Sequence, residues 1–138
     1  MGNYTFAIFK PDTLEKNNTG AILSIICKNN FKIRAIKILK LSSEKVYEFY
    51  EIHKEKYFFN DLLIYMSRGP ILVCVLEKMN AVEDFRNLIG VTDPQKAEQG
   101  TIRNLFATHI SENAVHGSDS FENAQREKAF FFSDLEIY

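Results

Sequence analysis

Pro70-Ile71-Leu72-Val73-Cys74-Val75-Leu76-Glu77 decides how the rest of this 138-residue chain is arranged. The run is almost continuously apolar and bounded by proline and glutamate. A strand with one face in water alternates polar and apolar residues, so a run without alternation reads as a central strand covered on both sides. The remaining elements are placed around it. Tyr4 to Lys10 reads as a buried strand stopped by Pro11, which cannot donate to a ladder. Phe31 to Leu41 reads as a long strand whose apolar phase slips at Ala35-Ile36, through a bulge or burial on both faces. Ala114 to His116 is a short last strand.

Helical spacing fills the gaps. A helix spans about Gly20 to Asn29, with N-cap oxygens offered by Asn17-Asn18-Thr19. Another covers about Ser43 to Lys54, with Val46, Phe49, Tyr50 and His53 on one stripe. A shorter one starts near Asn60. Asn80-Ala81-Val82-Glu83 reads as a variant capping box opening a helix with Val82, Phe85, Leu88 and Ile89 inward. Thr92 to Gly100 is a loop, followed by a helical turn at Ile102 to Ala107. A last helix runs from about Ser120 to Lys128 into Phe130-Phe131-Phe132. Stripped of the extra short helices the order is βαββαβ. This predicts an α+β sandwich of the ferredoxin-like class, with a four-stranded antiparallel sheet and helices on one face. The length suits one domain, residues 1–138.

Composition narrows the function. Formal net charge is -1 with 17 basic and 18 acidic residues, so no basic field attracts nucleic acid and any anion site must come from local cations. Cys27 and Cys74 sit in apolar runs without CxxC spacing and read as buried free thiols of a reducing compartment, not zinc ligands. The N-terminal apolar step Phe6 to Phe9 is too short for a signal peptide or membrane span. Met1-Gly2 is followed by Phe6 at the position where N-myristoylation needs a hydroxyl, so that motif fails. A soluble cytoplasmic protein is expected.

The chemistry concentrates in Asn113-Ala114-Val115-His116-Gly117-Ser118-Asp119-Ser120. One histidine ends a short apolar step before glycine and a run of hydroxyl and carboxylate residues. One ring nitrogen can face a cleft and the other a partner, as a histidine nucleophile requires. The octapeptide alone reads equally as a polar turn that contains a histidine. Phosphate-cradling GxxxxGK[ST] and GxGxxG motifs are absent, so phosphates must be held by side chains. Lys10, Arg86 and Arg103 lie at element edges, the two arginines flanking the Gly90 to Gly100 loop, where guanidinium forks can clamp a polyphosphate. Each taken singly reads first as a solvated surface charge, a reading that weakens only where all three converge on His116. Of Phe58-Phe59, at least one is a core residue and an exposed one can stack on a base. His53 and His109 read as structural.

On these residues the chain closely resembles the nucleoside diphosphate kinases over nearly its whole length. Asn113 through Ser120 matches the family's Asn-x-x-His-Gly-Ser-Asp-Ser, and Lys10-Pro11-Asp12 its Lys-Pro-Asp. Gly90-Val91-Thr92-Asp93-Pro94 and Gly100-Thr101-Ile102-Arg103 match its two loop motifs. The resemblance implies transfer of a γ-phosphoryl group from a nucleoside triphosphate to a nucleoside diphosphate, in ping-pong fashion through a phosphohistidine on His116. It implies phosphate contacts from Lys10, Arg86, Arg103 and Thr92, with Tyr50 beside the transferred group and Lys10 and Asn113 on the sugar hydroxyls. Phe58 would stack on the base, with Leu62 and Ile110 lining that slot, which implies broad base specificity. Ser118 and Glu127 would orient the histidine. Mg2+ would ride on the nucleotide phosphates without an assigned protein ligand. Ile52 stands where the family often has a carboxylate that reaches the metal through water. Homo-oligomers built from dimers are implied, and the short tail after the last helix leaves tetramer and hexamer open, with the hexamer preferred. A regulatory nucleotide binder without turnover is disfavoured by the intact residue set. An RNA-binding module is disfavoured by the missing aromatic motifs and the charge. Arg103→Ala is expected to slow transfer and leave the fold intact.

Overall fold

Alternation along two neighbouring strands divides the interior into two cores. The computed structural model describes residues 3–138; Met1 and Gly2, where the myristoylation reading falls, lie outside them. Strand β1 (Tyr4–Phe9) and strand β3 (Ile71–Glu77) pair antiparallel in register Tyr4 to Glu77 through Phe9 to Leu72. β2 (Lys32–Leu39) flanks β3, and β4 (Val115–Gly117) flanks β1, giving the order β2-β3-β1-β4. β3 is central, and all its residues but Glu77 are buried.

Helices cover both faces of the sheet, not one. Phe6, Ile8, Val73 and Val75 form one core with Val46 and Phe49 of α3 (Ser43–Tyr50), Met66 of α4 (Phe59–Ser67) and Phe131 of α7 (Phe121–Phe131). Ala7, Phe9, Leu72, Cys74 and Leu76 form the other with Ile22 and Ile26 of α2 (Thr19–Lys28) and Phe85 and Ile89 of α5 (Ala81–Ile89). Full burial of each large apolar side chain stabilises by about 1.5–3 kcal/mol. The connecting helices had to go somewhere, and central strands without a polar face leave no side of the sheet free for water.

Several local readings change. Pro11 does more than stop β1: it sits in the first turn of a short helix α1 (Pro11–Glu15), where its missing N–H costs nothing. Asn18 occupies the N-cap of α2 and Asn80 that of α5, yet neither side chain caps its helix. Asn80 is left-handed at φ 62° and its amide meets Glu83 Oε2 at 3.3 Å instead. The bulge in β2 falls between Ile33 and Ala35; beyond it Ala35 turns into one core, while Ile36 and Ile38, opposite Cys74 and Leu72, lie exposed on the other face. The bulge frees the Arg34 carbonyl, which accepts the backbone N–H of Tyr138 at 2.8 Å and so ties down the C-terminus. Cys27 is exposed: Ile22 and Ile26 point inward one turn apart, which turns the next residue outward. α3 ends at Tyr50, and Glu51–His53 continue as a 3₁₀ turn that rotates His53 off the apolar stripe. α6 (Ile102–Phe106) is capped by the Thr101 hydroxyl.

Candidate active site

Strand geometry aims His116. It pairs with Ile8 across the β1–β4 ladder and therefore shares Ile8's face of the sheet, the side that carries α3 and α7. Its neighbours Val115 and Gly117 face the other core. Gly117 backs onto the Phe85 ring so closely that a Cβ there would lie 2.9 Å from Cδ2, so glycine lets the strand approach α5. Beyond β4, Ser120 caps α7 by accepting the N–H of Asn123 at 3.1 Å. Two turns on, α7 returns Glu127 to the histidine.

The result is a chain of fixed contacts. His116 Nε2 lies 3.0 Å from Glu127 Oε1, and the same oxygen accepts the Ser118 hydroxyl at 2.6 Å. Ser118 and Glu127 are buried, while the imidazole is part-exposed at 22%. A carboxylate can only accept, so Nε2 carries the proton, and in the neutral ring the lone pair is then on Nδ1. Phe49 packs edge-on to the ring with centroids 6.1 Å apart.

Behind the histidine the backbone is strained. Ala114 is left-handed at φ 73°, a conformation that costs a non-glycine residue about 1–2 kcal/mol. Three contacts hold it there. Its N–H donates to Asp12 Oδ2 at 3.1 Å, and its carbonyl accepts the Thr13 hydroxyl and the Lys10 N–H, each at 2.8 Å. Asp12 is itself buried and accepts the Tyr65 hydroxyl. Lys10-Pro11-Asp12 is thus a clamp on the turn before His116, a role its spacing in the sequence does not disclose.

A cleft of about 580 Å³ opens over His116, with Glu127, Tyr50, Arg86, Thr92 and Arg103 among its lining residues. Arg103 is 9% exposed and donates to the carbonyls of Gly90 (2.9 Å), Asn113 (3.3 Å) and Val115 (2.8 Å). Burial, with the charge of Arg86 added, pulls its pKa down to about 10. Gly90 has φ +88°, and a Cβ on it would meet Thr101 Oγ1 at 2.6 Å, so glycine is required where the loop turns over Arg103. Lys10 Nζ donates to Asn113 Oδ1 at 2.7 Å, and Asn113 Nδ2 donates to the Thr92 carbonyl at 3.1 Å, lacing the loop to the first strand. Burial, then the nearby Arg103, lowers the Lys10 pKa to about 7, with Asp12 opposing. Tyr50 is buried with its hydroxyl unpartnered, and burial followed by the Glu127 charge pushes its phenol upward.

The other residues expected at the site are placed differently. Lys10, Asn113 and Ser118 stand behind the cleft wall in the contacts just described. Phe58 is 37% exposed and Ile110 50%, and neither lines the cleft around His116. Leu62 is half-buried against the core. His53, read as structural, lines the cleft, as do Ile52, Asp119 and Arg126. Burial and then Lys56 lower the His53 pKa. His109 is exposed and its Nδ1 meets the Ser111 hydroxyl at 2.7 Å.

No group of three metal-ligating side chains exists among the described residues. No helix among them is long and apolar enough to cross a membrane.

Comparisons agree with this geometry. A model of the family described as nucleoside diphosphate kinase matches residues 3–137. Nucleoside diphosphate kinases of Nitratiruptor sp. and Citrifermentans bemidjiense are 53% and 50% identical over 133 residues, covering 96% of this chain and 97% of each relative. The crystal structure of the Aquifex aeolicus nucleoside diphosphate kinase superposes with TM-score 0.96 at 42% identity, covering 99% of both chains. That of the Halobacterium salinarum nucleoside diphosphate kinase, in complex with CDP, gives 0.95 at 32% identity over 100% of this chain and 92% of that one. By sequence over nearly its full length and by its ferredoxin-like fold, the chain belongs to the nucleoside diphosphate kinase family, enzymes that transfer phosphoryl groups between nucleotides.

Proposed function

We propose that the chain, acting as one domain, moves the γ-phosphoryl group of a nucleoside triphosphate onto a nucleoside diphosphate in two half-reactions through His116. The observation that carries this reading is the anchored imidazole: Nε2 fixed on buried Glu127, the ring open to a cleft lined by Arg86 and Arg103. In the first half-reaction the Nδ1 lone pair attacks the γ-phosphorus, an N–P bond forms, and the bond to the bridging oxygen breaks as the diphosphate leaves. The Nε2 proton stays with the ring, and Glu127 stabilises the positive charge that develops there. A terminal phosphate oxygen of the acceptor then takes the phosphoryl group by the reverse path. Arg86, Arg103 and Lys10 offset the charge on the transferred group, and the Tyr50 hydroxyl, without an internal partner, supplies a donor to it. Thr92 contacts the phosphates, and Asn113, which also ties the Thr92 carbonyl, serves the sugar hydroxyls with Lys10. The exposed Phe58 ring offers a stacking face, with Leu62 and Ile110 as the further residues the family resemblance assigns to the base, and stacking accepts any base.

Mg2+ suits this donor set when bound through substrate phosphates. Glu127 is committed to His116 and Ser118, which leaves Asp119 on the cleft wall to reach the ion's water shell. When bound, the ion neutralises phosphate charge; no step above depends on it. Homo-oligomers of dimers, with a hexamer preferred to a tetramer, and a cytoplasmic location belong to the same reading.

Incubation with γ-labelled ATP tests it. Acid-labile, alkali-stable label is expected on the chain, discharged by GDP or dTDP. A wild-type chain that takes up no label removes the phosphohistidine.

Lys10 adds a pH signature. With its pKa near 7 in the free protein, the amine is largely neutral above that pH. Phosphate binding favours the ammonium, so a nucleotide brings in a proton whenever the pH exceeds about 7. ADP affinity should therefore fall as pH rises above 7 and lose this dependence below it. Calorimetric titration at pH 8 in two buffers of different ionisation enthalpy should show proton uptake, and Lys10→Met should remove it. Equal heats in both buffers would refute the assignment.

A further inference from the structure

We propose that Arg126 is a positioning residue for His116, acting through the outer carboxylate oxygen of Glu127. The inference rests on His116 being the reacting group. Glu127 Oε1 is occupied twice, by His116 Nε2 and the Ser118 hydroxyl. Oε2 faces Arg126 Nη2 at 3.6 Å, in an ion pair on an otherwise buried carboxylate. The guanidinium is held against the Phe49 ring, 5.6 Å from its centroid, and that ring also packs on His116. Arg126 lines the cleft and is about two-fifths exposed, so it holds its place by stacking and charge and not by burial.

The arrangement has a chemical consequence. A carboxylate beside an imidazole favours the imidazolium, which has no lone pair on Nδ1. A cation on the far carboxylate oxygen takes up part of that negative charge. Arg126 thereby keeps Glu127 strong enough to orient Nε2 without holding the ring protonated. The other charged or titratable groups lining the cleft with His116 are His53 and Tyr50 on the α3 side, Arg86 from α5, Glu98 from the loop before α6, Arg103 from α6, and Asp119 just after β4. Among the described residues, none of them forms a hydrogen bond or ion pair with Glu127 Oε2.

The test compares wild type, Arg126→Met and Arg126→Lys. Methionine keeps an apolar stem on Phe49 without the charge, and lysine restores the charge. His116 ring signals are followed by NMR against pH in the unliganded proteins, alongside kcat and KM. In Arg126→Met the ring should titrate at higher pH than in wild type. At pH 6.5 kcat should fall about two- to fivefold, the range an exposed ion pair carries, with KM little changed. Lysine should restore both. An unmoved titration in Arg126→Met overturns the proposal, and a raised KM with unmoved titration identifies Arg126 as a substrate contact instead. Because the titration is read without nucleotide, it is decided separately from phosphohistidine labelling.

Discussion

His116→Ala is expected to take up no label from γ-labelled ATP and to lose turnover by roughly 10⁴-fold or more, the scale on which removal of an attacking nucleophile acts. The geometry makes the outcome specific. Among the described residues, the one other histidine lining the cleft is His53, whose pKa is lowered by burial and Lys56 and for which no carboxylate contact is found. It lacks the Nε2 anchor that leaves Nδ1 of His116 as the free nitrogen. The fold should survive the change. Glu127 keeps the Ser118 hydroxyl and Arg126, and the side chain removed was already part-exposed. Thermal melting within a few degrees of wild type, with label absent, is the expected pair of results. Label persisting on the alanine variant would reject His116 as the acceptor, and mapping the labelled peptide would locate the true one.

How much of this site was legible in the sequence depended on whether its residues act locally. Ser120 is legible as a cap, and the helix it opens carries Glu127, so the histidine's neighbourhood follows from one continuous segment. The central position of β3 follows likewise from its unbroken apolar run. The clamp on Ala114 was not legible, because Asp12 and Thr13 meet it across about a hundred residues through the β1–β4 pairing. Helices on both faces were missed because periodicity gives each helix an apolar stripe but not the side of the sheet it covers. Arg126 and His53 were missed for the opposite reason: nothing in their immediate sequence separates them from solvated charge or helical stripe. The base slot is the converse case. Phe58, Leu62 and Ile110 were named through resemblance, and the cleft over His116 does not include them.

Arg103→Ala should cost stability as well as activity, where the sequence alone leads one to expect an intact fold. A surface arginine that only met phosphate would leave nothing behind. Arg103 is instead buried and donates to carbonyls on three segments: Gly90 at the loop, Asn113 in the turn, and Val115 on β4. Truncation removes a donor from each carbonyl around a cavity; that of Asn113 still accepts the Val115 N–H at 2.8 Å, and each buried acceptor left without a partner costs about 1–3 kcal/mol. Water entering from the cleft recovers part, so a net loss of about 3 kcal/mol is expected, or roughly 10 °C in melting temperature for a chain of this size. Turnover should fall by about 10²–10³-fold, the usual loss when one preorganised donor to the developing charge is removed. Arg103→Lys separates the two roles. An ammonium restores a positive charge to the cleft but cannot reach three carbonyls from one planar group. It should therefore melt nearly as low as the alanine variant while regaining part of the turnover. Wild-type melting in Arg103→Ala would show that the three carbonyl contacts contribute nothing, and unchanged kcat/KM would remove Arg103 from the site. The buried pose also explains how a cation is tolerated at this position in the unliganded chain: three backbone carbonyls hold its charge on the cleft wall in a fixed orientation.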